Sequence, residues 1–194
     1  MTLRKGKKED APFLAKVVTE AIGPELCEGL AGGKDRTDLV KELFSSLAEM
    51  EDSQYSYRNS FVATDENGRI VGGIIVYDGS RLHELRKAFV REANRILGWN
   101  VTEEEAENWG DEADSGEIYI DSLYVVPEAR ERGYASALLE TVRKEFATSE
   151  KPLGLLVEPE NKTALKVYNK WGFKEKGVSD FFRTPMIHMQ LSMP

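Results

Sequence analysis

The stretch that most constrains the fold covers residues 118–138, IYIDSLYVVPEARERGYASAL. It begins as a run of β-branched and aromatic residues typical of a strand, passes Pro127, and continues into a pattern that favours a helix. An Arg-x-x-Gly-x-Ala hexad, which includes Arg130 and Gly133, lies between the two. A strand that enters a helix through such a turn exposes backbone N–H groups, which attract phosphate together with the helix dipole. The stretch therefore predicts a diphosphate-binding turn or, alternatively, a plain junction with two solvated arginines.

Hydrophobic periodicity and turn signals divide the rest of the chain into strands and helices. Asp10 before Pro12 indicates a helix N-cap, and Gly23-Pro24 predicts the end of that helix. Asn67-Gly68 predicts a hairpin turn. Thr102 and Glu105 form a capping-box pattern within a helical segment at 80–116. The predicted helices cover 12–22, 37–50, parts of 80–116, about 134–147 and about 161–171, and the predicted strands cover 2–5, 61–64, 70–77, 119–125, 153–157, 173–176 and 185–193.

Composition excludes several classes of protein. The chain has 194 residues and a net charge of −8, so a general nucleic-acid binder with a basic face is not expected. One cysteine, Cys27, excludes an internal disulfide, and two distant histidines, His83 and His188, leave little for a metal site. No apolar run approaches the ~18 residues of a membrane span. A single domain over 1–194 in the reducing cytoplasm is expected.

A second motif follows the first by about thirty residues. It reads N-x6-Y-x3-G-F, formed by Asn161, Tyr168, Gly172 and Phe173. The two motifs in this order resemble the GCN5-related N-acetyltransferase (GNAT) superfamily, as found in small bacterial-type enzymes. LYVVPEARERGYA is similar to that family's fourth strand and pyrophosphate loop, and ENKTALKVYNKWGF is similar to its second motif. The resemblance covers 117–173 closely, and the segment 80–116 is an insertion outside the common core.

The resemblance implies a fold. It is an α/β (α+β) GNAT fold, with a central mixed, mostly antiparallel, splayed sheet of six or seven strands flanked by helices. The helical insertion precedes the fourth strand. In this family the fourth strand carries a bulge and separates from its neighbour, which opens a V-shaped slot.

The resemblance also implies acetyl-CoA as co-substrate, without a metal. The pantetheine would bond backbone groups of two strand residues, the diphosphate would sit on N–H groups of the turn, and Asn161 would hold the pantetheine arm. An ordinary helix N-cap is an equal alternative for Asn161. The residues assigned to the co-substrate are Leu123, Tyr124, Val125, Arg130, Glu131, Arg132, Gly133, Tyr134, Ala135, Ser136, Asn161 and Tyr168.

Acetyl transfer to an amine requires a base, because an alkylammonium with a pKa near 10 cannot attack a thioester. Strand alternation places Tyr119, Asp121, Leu123 and Val125 on one face. Asp121 is therefore the candidate base near the thioester, with a structural aspartate or a water path as the alternative. Another base position used in the family, on the following strand, is occupied here by an apolar residue, Leu156.

Two further side chains have candidate roles in the transfer. Glu117, at the start of the strand, is a weaker candidate base. Tyr168 is the candidate acid, because the family uses a tyrosine four residues before Gly-Phe to protonate the leaving thiolate. The alternative for Tyr168 is an aromatic side chain packed on the buried face of its helix. Transfer is expected to be direct, with Cys27 as an inert thiol.

The acceptor is the least constrained part of the prediction. Residues 103–114 are rich in Glu and Asp, which indicates a solvated acidic face or a mouth that attracts a cationic amine. Tyr55 and Tyr57 are candidate acceptor contacts. The sequence thus favours an N-acetyltransferase acting on a primary amine of a small molecule or peptide. The alternative is a non-catalytic acetyl-CoA sensor, and a homodimer is compatible with the resemblance.

Overall fold

A computed structural model describes residues 1–181 and 184–193. Short 3₁₀ turns aside, the helices are α1 Ala11–Ala31, α2 Thr37–Glu49, α3 Leu82–Leu97, α4 Glu103–Glu107, α5 Tyr134–Glu145 and α6 Lys162–Trp171. The strands are β1 Thr2–Lys5, β2 Ser60–Thr64, β3 Ile70–Asp78, β4 Ile118–Val125, β5 Leu153–Val157, β6 Lys174–Phe181 and β7 Thr184–Leu191.

The strands of the described chain form one mixed sheet of seven strands, in the order β1-β2-β3-β4-β5-β7-β6. Neighbouring strands are antiparallel, except that β4 and β5 are parallel. A parallel pair needs a crossover connection, and α5 supplies it between these two strands. The predicted α/β class and the mostly antiparallel sheet are confirmed.

Helices cover both faces of the sheet, and two adjacent glycines of β3 show which helix lies on each. A Cβ at Gly73 would meet Val17 of α1, whereas a Cβ at Gly72 would meet Leu138 of α5. Successive residues of a strand point to opposite faces, so α1 and α5 lie on opposite sides of β3. The missing side chains let both helices approach the sheet closely.

Two sequence expectations about α1 need correction. The predicted stop at Gly23-Pro24 is only a kink: Gly23 has φ 78° and ψ 168°, and the helix resumes and continues to Ala31. Proline is well suited to the first turn of a helical stretch, because its missing N–H is not needed there. Asp10 does precede the helix, but its side chain caps no helical N–H and instead binds the Arg4 guanidinium and the Lys7 N–H.

The tail also differs from the prediction. The sixth strand was expected at 173–176 but covers Lys174–Phe181, with a register shift between Glu175 and Gly177. Its residues are mostly exposed, so the strand lacks the apolar run that signals a strand in sequence. Backbone pairing with β7 forms it instead.

The insertion before β4 folds into α3 and α4, and it packs through aromatic residues onto α1 and α2. Phe89 stacks edge-on against Trp99 and Trp109, at ring-centroid distances of 5.9 and 6.5 Å. Trp99 Nε1 donates to the Leu30 carbonyl. The predicted capping box opens α4, where Thr102 Oγ1 accepts from the Glu105 N–H. The insertion is therefore anchored to the same face of the sheet as α1.

Candidate active site

The candidate site lies where β4 and β5 separate. Among the described residues these strands pair at two positions, Ile118 with Leu153 and Tyr119 with Gly154. Each strand continues for several residues beyond that point. The splay expected from the family resemblance is thus present, and it opens along the second half of β4.

Strand β4 also carries the expected bulge. Ile75 pairs with Ser122, whereas Val76 pairs with Ile120, which leaves Asp121 as the extra residue. A bulge of this kind interrupts the alternation of side chains along a strand.

The bulge overturns the predicted common face of Tyr119, Asp121, Leu123 and Val125. Val125 lies beside Leu138 of α5, because a Cβ at Gly72 would meet both side chains. Leu123 is two residues earlier and shares that face. Tyr119 packs instead with Tyr77 and residues of α3, and Asp121 interacts electrostatically with both tyrosines. Asp121 therefore lies on the opposite face from Leu123 and Val125.

The backbone of β4 is directed into the splay at two residues. The Val126 N–H donates to Val71 of β3 at 2.9 Å. Because hydrogen-bonding direction alternates along an antiparallel strand, Leu123 and Val125 direct their N–H and C=O groups away from β3. These groups face the side on which β5 has separated, and the backbone of Tyr124 faces β3.

The turn before α5 exposes backbone donors. Gly133 is the N-cap residue, with φ 84° and no side-chain cap, and Glu131 also has a positive φ of 60°. The Ala137 N–H donates to the Gly133 carbonyl at 2.9 Å. The N–H groups of residues 134–136 therefore have no acceptor within the helix. A Cβ at Gly133 would meet nothing within 4 Å, so the approach to this turn is open.

Arg130 and Arg132 are bound differently in this turn. Arg130 Nε donates to the Val125 carbonyl at 3.1 Å, and its guanidinium lies 5.8 Å from the centroid of the Tyr124 ring. Arg132 lies over the Tyr134 ring. Because the Val125 carbonyl faces the splay, Arg130 fastens the turn against the separated side of β4.

Helix α6 borders the same opening. None of its ten residues is fully buried. Asn161 caps the helix, with Oδ1 accepting from the Ala164 N–H at 3.0 Å, as the alternative interpretation expected. Trp171 Nε1 donates to Ser136 Oγ of α5 at 3.4 Å. Tyr168 stacks edge-on against Phe173 at 5.5 Å, and burial raises the pKa of its phenol to about 12.

Asp121 is a carboxyl group with a strongly perturbed pKa. Burial is the main cause that raises its pKa to about 7; the Ser122 hydroxyl, which donates to Oδ1 at 2.8 Å, opposes the rise, and the Glu112 charge adds to it. Its side chain is half-buried by accessible surface. Near neutral pH the group can therefore both accept and release a proton.

Three tyrosines interact electrostatically with Asp121. Tyr77 and Tyr119 pair across β3 and β4, with ring centroids 5.6 Å apart, and Tyr55 approaches from the segment after α2. Burial is the main cause that holds the pKa of each phenol well above its usual range, so all three stay neutral. Of the two tyrosines offered as acceptor contacts, Tyr55 lies in this group, whereas Tyr57 bonds Glu51 at an exposed position.

Glu117 has the contacts of a structural residue. Its carboxylate is fully buried and accepts from Gln190 Nε2 at 2.8 Å and from the Asp114 N–H at 3.0 Å. It also lies 2.9 Å from His188 Nε2. A Cβ at Gly154 would overlap it. Glu117 thus joins β4, β5 and β7 below the splay, which argues against the weaker base assignment.

Four side chains that the sequence did not single out as catalytic complete this region: Gln54, Tyr77, Arg86 and Glu112. Gln54 Nε2 donates to Glu112 Oε1 at 2.7 Å and lies 3.4 Å from the Tyr77 hydroxyl. Tyr77 could have been found from the pairing of β3 with β4. Glu112 stands among six other acidic residues of 103–114, so no sequence signal separates it from a solvated surface.

The residues present fit acetyl-CoA. The splay offers two outward-facing strand residues, and the open turn at Gly133 offers backbone donors at the end of the same strand. No group of three or more His, Cys, Asp or Glu side chains that could hold a metal ion occurs in residues 1–181 and 184–193. Over the same residues, no helix is long and apolar enough to cross a membrane.

Solved structures share this architecture. An N-acetyltransferase from Staphylococcus aureus Mu50 is 22% identical, with a TM-score of 0.76 over 98% of this chain and 100% of that one. A second acetyltransferase is 23% identical, with a TM-score of 0.77 over 100% of both chains. The ribosomal-protein-S18-alanine N-acetyltransferase from Escherichia coli is 16% identical, with a TM-score of 0.58 over 99% of this chain and 93% of that one. At these identities the likeness concerns the fold.

Sequence comparison identifies the family. No curated protein matches the chain. A family model described as acetyltransferase (GNAT) family matches residues 34–173, which is more than half of the chain. The chain therefore belongs to the acetyltransferase (GNAT) family and is an acyltransferase.

Proposed function

We propose that the chain transfers the acetyl group of acetyl-CoA directly to a primary amine of a small molecule or peptide. One observation carries the proposal. The Gly133 turn is fastened by Arg130 to the Val125 carbonyl, on the side where β4 and β5 separate. A diphosphate on the turn would therefore place an attached pantetheine arm along Leu123 and Val125.

The co-substrate supplies an activated acetyl group as a thioester, and the chain supplies its position. The N–H groups of residues 131–136 would hold the diphosphate. Leu123 and Val125 would pair with the pantetheine amides as an added strand does, and the Leu123 N–H would polarise the thioester carbonyl. Asn161 Oδ1 already accepts the hydrogen bond of the helix cap, so the side-chain amide nitrogen is the group proposed to bind the pantetheine.

Asp121 is the proposed base. A carboxylate with a pKa of about 7 is about a thousand times more basic than an ordinary aspartate. It would take the first proton from the acceptor ammonium, directly or through one water. The free amine would then attack the thioester carbonyl, and the proton held by Asp121 would return to solvent.

Tyr168 is the proposed acid. Its phenol has a pKa of about 12 and stays protonated throughout the physiological range. Complete transfer of this proton to a thiolate with a pKa of about 8.5 is uphill by about 5 kcal/mol. Tyr168 is therefore proposed to donate a hydrogen bond to the leaving sulfur and to pass on the second proton of the attacking amine.

The acceptor is proposed to be cationic. Asp121 and Glu112 lie on one face of the sheet, and the chain carries a net charge of −8. Glu103 and Asp111, with side chains 49% and 46% exposed, belong to the solvated acidic face of the insertion. Long-range attraction of a cation to such a face is screened by salt. Raising the ionic strength should therefore raise the KM for the amine.

The experiment is an acceptor screen with acetyl-CoA that measures release of free thiol. Polyamines, aminoglycosides and Lys-containing peptides are the first candidates. Asp121→Asn and Tyr168→Phe should each lower kcat, by about 10²-fold and about 10-fold, while coenzyme A still binds. Turnover unchanged in both variants would remove the base and acid assignments. Absence of turnover with every amine, together with tight acetyl-CoA binding, would favour the sensor alternative.

Three expectations from the sequence remain predictions. They are a cytoplasmic location, a homodimer, and a single domain over 1–194. The last includes Phe182, Arg183 and Pro194, which lie outside the described residues.

A further inference from the structure

The inserted segment 80–116 contributes a carboxylate to the surroundings of Asp121. The Glu112 side chain is 10% exposed, in contrast to Glu103 and Asp111 of the same segment. It interacts electrostatically with Asp121, Tyr77 and Tyr119. Glu112 therefore belongs to the region of β3 and β4 that holds the proposed base.

A buried arginine fixes this carboxylate from α3. Arg86 is 5% exposed and donates through Nη2 to Glu112 Oε2 at 2.7 Å. The same guanidinium binds the carbonyls of Ala106 and Gly110 at 3.2 and 3.1 Å. Arg86 thus ties the loop after α4 to α3, and the position of Glu112 is set by the fold of the insertion.

The other carboxylate oxygen faces the sheet. Gln54 Nε2 donates to Glu112 Oε1 at 2.7 Å and lies 3.4 Å from the Tyr77 hydroxyl. Tyr77 pairs with Tyr119, two residues before Asp121. Both oxygens of Glu112 thus accept hydrogen bonds from the protein, and its charge is paired with Arg86.

We propose that Glu112 is a positioning residue for the acetyl transfer: it holds Gln54 against the Tyr77 hydroxyl, on the face of the sheet that carries Asp121. This inference rests on the proposed function. A like charge nearby disfavours a second ionised carboxylate, so Asp121 binds a proton more tightly with Glu112 in place. The inserted segment 80–116 then contributes to the reaction through Glu112.

Glu112 is a carboxylate whose charge acts on Asp121. The titratable and charged side chains around Asp121 come from five parts of the chain: β3, β4, the segment after α2, the insertion and α3. They are Tyr77, Tyr119, Tyr55, Glu112 and Arg86. Burial is the main cause that holds the pKa of each tyrosine well above 10, so these phenols do not titrate between pH 4 and 9. His83, bonded to Asp111, and His188, bonded to Glu117, are common to the parent and to Asp121→Asn, so the difference between these two proteins near neutral pH reports Asp121.

The proton balance of the step is simple. The acceptor ammonium loses one proton to the Asp121 carboxylate, which becomes a neutral carboxyl, and the amine nitrogen gains a free electron pair for attack. The new C–N bond forms and the C–S bond breaks. The second amine proton ends on the leaving sulfur, and Asp121 releases its proton to water. Glu112 keeps its charge throughout.

The test is a double-mutant cycle measured by unfolding at a series of pH values. The stability difference between the parent and Asp121→Asn follows the titration of Asp121 in the folded protein. The same difference measured in the Glu112→Gln background should have a midpoint lower by about 0.5–1 pH unit. The inflection in the pH profile of kcat/KM should move by the same amount. Glu107→Gln, which removes a charge from an exposed position of the same insertion, is the control and should move the midpoint by less than ~0.2 pH unit.

A second variant covers the case in which Glu112→Gln does not fold. Replacing Arg86 and Glu112 together by methionine removes both charges of the pair. Because the Arg86 charge opposes that of Glu112, the midpoint is expected to fall in the same direction but by less. A midpoint unchanged in either background overturns the inference, even where turnover is intact. Failure of the acceptor screen would remove the proposed function. The coupling between Glu112 and Asp121 is measured by unfolding and does not depend on turnover, so the two failures can be told apart.

Discussion

Asp121→Asn should make the protein more stable in neutral and alkaline solution. The carboxyl has a folded-state pKa of about 7, compared with an ordinary value of 3.8. Burial disfavours its charged form. Asparagine has nearly the same shape, and its side-chain oxygen can still accept from the Ser122 hydroxyl, which donates to Asp121 Oδ1 at 2.8 Å. The variant therefore removes the charge with little change in packing.

The sign and size of the effect follow from linkage. Between pH 4 and pH 7 the folded state keeps the proton of Asp121 and the unfolded state has lost it, so the stability of the parent falls as the pH rises. The loss is complete above about pH 7 and amounts to at most about 4 kcal/mol. For a chain of 194 residues, this corresponds to a Tm about 8–16 °C higher for the variant at pH 8. At pH 4 the two proteins should differ by little.

The measurement is urea unfolding of the parent and of Asp121→Asn at half-unit steps from pH 4 to pH 8.5. Asp38→Asn is a matched control, because the Asp38 side chain is 90% exposed and its replacement should give no comparable pH-dependent difference. A difference between the parent and Asp121→Asn that stays flat over the whole range would refute the reasoning. Asp121 would then be an ordinary solvated carboxylate, and its assignment as base would lose its physical support.

Three further changes test the rest of the site and its frame. Gly133→Val should weaken coenzyme A binding about tenfold in calorimetry, because φ 84° strains a branched residue; an unchanged Kd would count against the turn. Gly154→Ala should lower Tm, at a cost of about 3 kcal/mol, because a Cβ would overlap the Glu117 carboxylate; wild-type Tm would contradict this packing. Burial would raise the pKa of Asp10, but Arg4 and the Lys7 N–H outweigh it and hold that pKa below its ordinary value. Asp10→Asn should therefore cost about 2 kcal/mol in urea unfolding at pH 7, and the difference should close as the pH falls below 4; a difference independent of pH would be inconsistent with the pair.

Much of the fold could be predicted from the sequence, because its turns and helix caps depend on interactions between nearby residues. The hairpin turn at Asn67-Gly68 and the capping box at Thr102 lie where the sequence placed them, because each depends on residues only a few positions apart. The strand at Leu153–Val157 matches the prediction residue for residue. The exposed strand β6 was underestimated, since pairing with β7 forms it and an apolar pattern does not.

The sequence by itself determined the two motifs that identify the family: a strand that enters a helix through the Gly133 turn, and a second motif that contains Tyr168. These signals are local, so they survive without knowledge of the fold. Only the tertiary structure decided which side chains surround Asp121. A single extra residue in β4 reverses the face of everything beyond it, and it separates Asp121 from Val125. The Glu112 charge acts on Asp121 from a loop that Arg86 of α3 holds in place, and interactions between residues so distant along the chain leave no periodic trace in the sequence.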